Sequence, residues 1–360
     1  MENLIYSIGA ALIGLGVLIV FHEFGHFLFA KMSGVGVLTF SVGFGPKLWK
    51  KKVGDTEYAL SAFPLGGYVK MVGEDPSEEV SPVDVERSFA HKSILKRMAI
   101  VAAGPGFNLL LAVFLLMIVF LFYGVPVLLS QVGGVESGSP AEHAGIQKND
   151  VITAVNGQPI REWEELSKAI KQSDGRPLNL QVRRQDKDVN LAIQPTKREG
   201  RNIFGEKRDE WVIGISSRVS IEKGKPGLAV IKAFQQTYEY ARLTLLALAK
   251  MVTGEVSPRN LGGPILIAQM AGQQAQEGLG AFLPFIAILS INLGVLNLLP
   301  IPILDGGHLL FFVVELLIGR PLALRHREMA QQVGLVLLMM LMIYAFYNDI
   351  ARLFEKQVGG

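Results

Sequence analysis

Apolar and charged positions are sharply segregated along this chain. Residues 3–21, 99–135, 278–304 and 329–348 contain no Asp, Glu, Lys or Arg. A helix of about 20 mostly apolar residues crosses the hydrocarbon core of a bilayer. The four windows therefore predict membrane helices at about 4–30, 99–123, 281–299 and 331–348. Gly124 and Pro126 stop the second, and Pro300 and Pro302 break the third. Between residues 136 and 223 charges are dense and the pattern changes. Trp163, Leu166 and Ile170 recur at helical spacing, while 178–183 and 189–193 read as strands. Residues 224–277 are mixed: Leu228, Ile231, Phe234, Tyr238, Leu245, Leu248 and Val252 recur near a helical period, with Lys232, Glu239 and Arg242 between them. Two readings fit that segment, an amphipathic helix lying on the membrane and a helix packed on the soluble part.

Composition agrees with this division. Of 360 residues, 50% are hydrophobic and 19% charged, against about 25% charged in an ordinary soluble protein. A disordered chain would need the opposite balance. The net charge of +3 is spread without a polybasic tract, so nothing points to nucleic acid. With no cysteine, disulfides and thiolate ligands are excluded. The first window opens Met1-Glu2-Asn3, without the basic start of a cleaved signal peptide, and reads as a retained helix. Lysines and arginines crowd the loop 31–97 and recur at Arg320, Arg325 and Arg327. The excess of basic residues in cytoplasmic loops then puts both loops in the cytosol and the termini and the long middle segment outside. Arg352 and Lys356 in the final tail weakly oppose that orientation.

The charges that do occur at the span ends carry the chemistry. His22-Glu23-Phe24-Gly25-His26 has the form H-E-x-x-H. On a helix, residues at i and i+4 share one face, so two imidazoles can hold one metal ion while the glutamate reaches a water on it. Two nitrogens and a carboxylate, with a fourth position open to water, suit catalytic zinc. Histidines and a glutamate ending an apolar helix are costly there unless they bind something. Asp305, in N-L-L-P-I-P-I-L-D-G-G (297–307), lies after the third span on the same side as the histidines. Spacing alone leaves it either the third ligand or a helix-end carboxylate facing water.

Taken together, H-E-F-G-H in the first span, N-L-L-P-I-P-I-L-D-G-G-H at the third and one soluble insert resemble the bacterial site-2 proteases, intramembrane zinc metalloproteases of the RseP type. The resemblance covers essentially the whole chain. It implies that His22, His26 and Asp305 bind Zn2+, that Glu23 is the catalytic acid and base, and that Asn297 helps hold substrate or oxyanion near the metal. It also implies a multi-pass protein of the bacterial inner membrane whose active site faces the cytosol. Its substrates would be single-span membrane proteins pre-trimmed by another protease, such as anti-sigma factors, or remnant signal peptides. Residues 42–49 and 59–71 are similar to the family's membrane-associated β-hairpin region, which makes Phe63, Gly66, Gly67 and Tyr68 candidates for substrate contact. An ordinary cytosolic hairpin is the plainer reading. Asn260-Leu261-Gly262-Gly263-Pro264 is similar to a further segment near the family's active site, with Asn260 and Pro264 as candidate contacts. Gly104-Pro105-Gly106-Phe107-Asn108 resembles the family's G-x-x-x-N motif and is read as helix packing through small residues. His308 is expected to be a cytosolic helix-start histidine, and His91, His143 and His326 surface histidines, none with a metal role.

Within the insert, V-G-G-V (132–135), S-P-A-E-H-A-G-I (139–146) and N-D-V-I-T-A-V-N-G (149–157) resemble a PDZ domain. Such a domain binds extended peptides at a sheet edge; a filter that excludes bulky ectodomains is the other role open to it. One such block occurs, where well-known members of the group carry two. The expected class is thus a polytopic α-helical membrane protein with four transmembrane helices, a cytosolic β-hairpin region and an inserted α+β PDZ-like domain. Its expected segments are 1–124, 125–200, 201–277 and 278–360. A membrane scaffold would explain the insert but not the intact H-E-x-x-H. A transporter would explain broken helices but lacks a second related half.

Overall fold

The computed structural model describes residues 2–75, 80–201 and 207–358. In chain order its helices and strands are α1 (Glu2–Met32), β1 (Val37–Val53), β2 (Thr56–Met71), α2 (Ile94–Phe122), β3 (Val125–Val135), α3 (Pro140–His143), β4 (Val151–Val155), β5 (Gln158–Pro159), α4 (Trp163–Gln172), β6 (Leu178–Arg184), β7 (Lys187–Ile193), β8 (Thr196–Arg201), β9 (Lys207–Val212), β10 (Ile215–Glu222), α5 (Pro226–Val252), α6 (Pro264–Gln276), α7 (Leu279–Asn297), α8 (Asp305–Ile318) and α9 (Leu324–Val358). They form two compact units, one of Met1–Val119, Val230–Ala249 and Ser257–Gly360, the other of Phe120–Ala229 and Lys250–Val256.

Four helices in the described residues are long and apolar enough to cross a membrane: Ile5–Met32, Ile94–Phe122, Leu279–Asn297 and Leu324–Glu355. Each charge-free window thus overlaps one of these helices, and the second runs on past α2 into β3. α9 exceeds its window because Arg325, Arg327, Arg352 and Glu355 at its ends are helix-compatible. Its flanks leave Val333, Val336, Met340 and Ile343 more than half exposed, a surface suited to lipid rather than water. The third window holds more than a helix. α7 stops at Asn297, a short irregular stretch follows, and Asp305 is the first residue of a new helix, α8, rather than the end of the span. Prolines at 300 and 302 account for the break, since each removes a backbone donor. Residues 224–277 form two helices, α5 and α6, separated by a 3-10 turn at Pro258–Asn260. α5 keeps Ile231, Phe234, Tyr238 and Val252 exposed, while α6 packs along α1 and touches α7 and α9.

Strands β1 and β2 form more than a simple hairpin. β1 bends at its glycines, so that residues 39–42 pair with 57–60 on one side and with 67–70 on the other, while 47–53 pair with 56–61. The result is a curled sheet with two edges. One edge carries Lys47, Lys50, Lys51 and Lys52, whose charges discourage further pairing. The other is the run 67–71, which takes no further strand among the described residues.

The second unit is built on the sheet β10-β3-β4-β6-β7, with β5 beside β4 and β8–β9 as a separate hairpin. Val132, Ile152, Leu166, Leu180 and Val182 are fully buried in its core. Ser139 caps α3 by accepting the Glu142 amide, and Asn156-Gly157 turns through positive φ at both residues, as its sequence predicts. β10 lies beyond residue 200, yet pairs with β3 from end to end, so the sheet continues past the boundary expected for the insert.

Candidate metal centre

α1 presents His22 and His26 one turn apart, with rings 4.9 Å apart and nearly perpendicular. α2 can lie close to them because glycines remove side chains at the contact. A Cβ on Gly25 would sit 2.4 Å from the Ala103 carbonyl oxygen, and one on Gly104 would sit 2.3 Å from His26 Nε2. The third group arrives from α8. Gly306 and Gly307 let the first turn of α8 fold against residues 298–302, where a Cβ would meet the Leu299 and Ile301 carbonyl oxygens at 2.2 and 2.3 Å. That fold-back brings Asp305 to the histidines.

Three candidate ligand atoms converge. His22 Nε2 is 3.3 Å from His26 Nε2 and 3.1 Å from Asp305 Oδ2, and His26 Nε2 is 3.6 Å from the same oxygen. A tetrahedral zinc with bonds of about 2.0–2.1 Å separates its ligands by about 3.3 Å, so the three edges of this triangle fit one ion. The local hydrogen bonding says the same. Asp305 Oδ2 is buried and makes no aligned hydrogen bond. His26 Nδ1 lies 2.9 Å from the Ile100 carbonyl oxygen, to which it donates, leaving the Nε2 lone pair aimed at the cluster. Among the described residues, His22, His26 and Asp305 are the one group of three or more His, Asp and Glu side chains with the spacing to hold a metal.

The cluster opens on a cavity of about 380 Å³. Glu23 lines it, and so do Gly67 and Tyr68 from the free edge of the curled sheet. Gly67 packs directly on the glutamate: a Cβ there would lie 2.9 Å from both Glu23 Cγ and the Ser41 carbonyl oxygen. Glu74, Arg97, His308 and Arg327 complete the polar wall. Burial pushes the Glu74 carboxyl up and the His308 imidazole down, favouring the neutral form of each. His308 lies in the first turn of α8, at the helix start expected for it, and is half-buried in the cavity wall. Arg97 donates through two nitrogens to Glu315, at 2.6 and 3.3 Å, and its guanidinium lies over the Phe312 ring.

The other candidates lie elsewhere. Phe63 is exposed and pairs with Phe44 across the sheet, and Gly66 abuts the Phe44 ring. Asn297 is the last residue of α7 and does not line the cavity. Pro264 starts α6, whose first amides at Gly263, Ile265 and Leu266 donate to the buried Asp349 carboxylate of α9 at 2.9–3.0 Å. The 260–264 segment thus includes a helix cap; the side chain of Asn260 lies outside the described residues. Asn108 does more than pack helices: its side-chain amide is fully buried 3.2 Å from His22 Nδ1. The signal was present in the sequence, because a carboxamide in a charge-free span also needs a partner.

The chain matches the model of peptidase family M50 over residues 10–341. It is 36% identical to a protein of Rhizobium meliloti assigned as a zinc metalloprotease, over 98% of this chain and 99% of the relative. It is 33% identical to protease RseP of Yersinia pestis and 31% to the regulator of sigma-E protease RseP of Salmonella typhimurium, in each case over 98% of this chain and 100% of the relative. The alignment with the Yersinia protein runs over 457 positions, more than the 360 residues of this chain, so that relative carries sequence this chain lacks. From the converging ligand atoms and these likenesses, the chain belongs to peptidase family M50 and is an RseP-type, site-2 zinc metalloprotease of regulated intramembrane proteolysis.

Proposed function

We propose that His22, His26 and Asp305 hold Zn2+ and that Glu23 is the acid and base of peptide hydrolysis within or beside the bilayer. The observation that carries this reading is the triangle of His22 Nε2, His26 Nε2 and Asp305 Oδ2, with its buried and unsatisfied oxygen. Zinc bound there supplies Lewis acidity, polarising a peptide carbonyl and making hydroxide accessible near neutral pH. Glu23, next to His22 and facing the same cavity, takes the proton of the attacking water and returns it to the leaving amine. Gly67 leaves room for the glutamate stem, since a Cβ there would lie 2.9 Å from Glu23 Cγ. Asn297, Phe63, Gly66, Asn260 and Pro264 remain candidates for more distant contact with substrate.

A peptide bond inside a helix is shielded by its own hydrogen bonds and must be unwound before attack. The edge run 67–71 supports a means of doing so: its residues Gly67, Tyr68 and Val69 line the cavity, take no further strand among the described residues, and can pair with an extended substrate strand. The substrates we propose are single-span membrane proteins already shortened by another protease, such as anti-sigma factors, or remnant signal peptides. The basic loops favour a cytosolic active site and an extracytoplasmic insert in a bacterial inner membrane. We assign the insert to the PDZ-like class on its three sequence blocks, as a peptide binder or a size filter that admits trimmed substrates.

The test is cleavage of a tagged single-span substrate by purified full-length protein in detergent. Wild type is expected to cleave, and Glu23→Gln to keep the fold and most zinc while losing cleavage. Equal cleavage by both would remove Glu23 from the mechanism.

A further inference from the structure

Resting on the zinc reading above, we infer that Asn108 is a positioning residue of the metal centre, its carboxamide oxygen accepting the Nδ1 proton of His22 and so committing His22 Nε2 to the ion. A neutral imidazole has one N–H and one lone pair, and whichever partner faces one nitrogen decides the state of the other. For His26 that partner is the Ile100 carbonyl at 2.9 Å. For His22 it is the side-chain amide of Asn108, at 3.2 Å from Nδ1.

An amide can present either of its faces. With the NH2 toward Nδ1, Asn108 Oδ1 is buried and has no hydrogen-bond partner. That arrangement leaves the His22 proton on Nε2, pointing into a cluster where His26 Nε2 and Asp305 Oδ2 stand 3.3 and 3.1 Å away. A half-turn of the terminal torsion exchanges O and N in the same volume. The oxygen then receives Nδ1–H and the Nε2 lone pair faces the ion, with the orphaned acceptor satisfied. The surroundings hold the residue for this task. Asn108 is fully buried, and its backbone oxygen accepts a 2.7 Å hydrogen bond from Ser290 of α7. Gly104, one turn earlier on α2, abuts His26 Nε2 and lies near His22 Cε1. Both ends of G-P-G-F-N thus serve the histidine pair, the glycine by making room and the asparagine by accepting a proton.

The experiment measures zinc affinity of the full chain in detergent by competition with a chromogenic chelator, alongside thermal unfolding of the metal-free protein. Asn108→Leu keeps the volume and removes the acceptor. It is expected to weaken zinc binding by about 10- to 100-fold, the usual cost of losing such a partner, while metal-free unfolding stays at the wild-type temperature. Asn108→Asp offers only acceptor oxygens and is expected to hold wild-type affinity. Should the leucine variant not fold, Asn108→Ala carries the same comparison with aspartate. Wild-type zinc affinity in the leucine or alanine variant, or an aspartate variant as weak as these, overturns the role of Asn108. A wild-type protein that binds no zinc overturns the metal centre itself and the inference with it.

Discussion

At the scale of single residues, the site depends on small distances more than on many contacts. Asp305 closes a triangle that two histidines alone leave open, so Asp305→Ala is expected to lose zinc stoichiometry. Elemental analysis of the purified variant checks this; full occupancy would mean that another group supplies the third ligand. Gly67 makes a second, independent point. A methyl there meets Glu23 Cγ and a backbone oxygen at 2.9 Å, so Gly67→Ala must move the sheet edge or the glutamate. A misplacement of this kind costs about 100-fold in rate. The expected signature is a fall in kcat with zinc content unchanged, read in cleavage assays beside metal analysis. Loss of zinc instead would make Gly67 a support of the metal site rather than of the glutamate.

At the scale of elements, the third ligand depends on how α8 is held. Glu315 is 4% exposed and accepts from Arg97 of α2 and, at 3.4 Å, from Arg327 of α9. One carboxylate thereby joins three helices whose first member also carries Asn108. Removing one partner of a buried ion pair leaves a buried charge uncompensated and costs about 3–5 kcal/mol. Glu315→Ala is accordingly expected to lower the unfolding temperature in detergent and to weaken zinc binding, since Asp305 sits at the start of the same helix. Unchanged melting would show that the pair is dispensable for holding α8. The sequence displayed H-E-x-x-H and the apolar windows directly, because each is a local pattern. Pro300 and Pro302 displayed the break before Asp305 as well, but the double pairing of residues 39–42 and the Arg97–Glu315 contact were not displayed. Those depend on partners from 18 to 218 residues away. Asn108 stands between the two cases: its motif was visible, but only the approach of α1 shows that the amide meets His22.

At the scale of the whole molecule, the chain divides its labour between two units that rely on different interactions. The first holds the proposed metal ligands and the apolar helices; the second has a conventional apolar core and a buried carboxylate, Asp150. Burial opposes ionisation of Asp150, but Arg184, with both nitrogens at 2.8 Å, and the Gln147 amide hold its pKa below the usual value. A lowered folded-state pKa gives stability that is present above the unfolded value of about 3.9 and lost as pH falls through the folded value. Acid is therefore expected to open the second unit below about pH 4, seen as faster hydrogen exchange around residues 147–184 in the full chain. Asp150→Asn should show that faster exchange already at neutral pH. Chelation acts on the other unit. A ligand present at 100 times its dissociation constant stabilises by about 2.7 kcal/mol, so removing zinc should lower the transition of the first unit and leave that of the second in place.

The most direct test of the account is zinc K-edge X-ray absorption on the purified full-length protein, normalised to metal per chain by elemental analysis. One zinc per chain is expected, with two imidazole nitrogens and carboxylate or water oxygens around it and no sulfur. Stoichiometric protein without zinc, or a zinc shell without the two imidazoles, would contradict it.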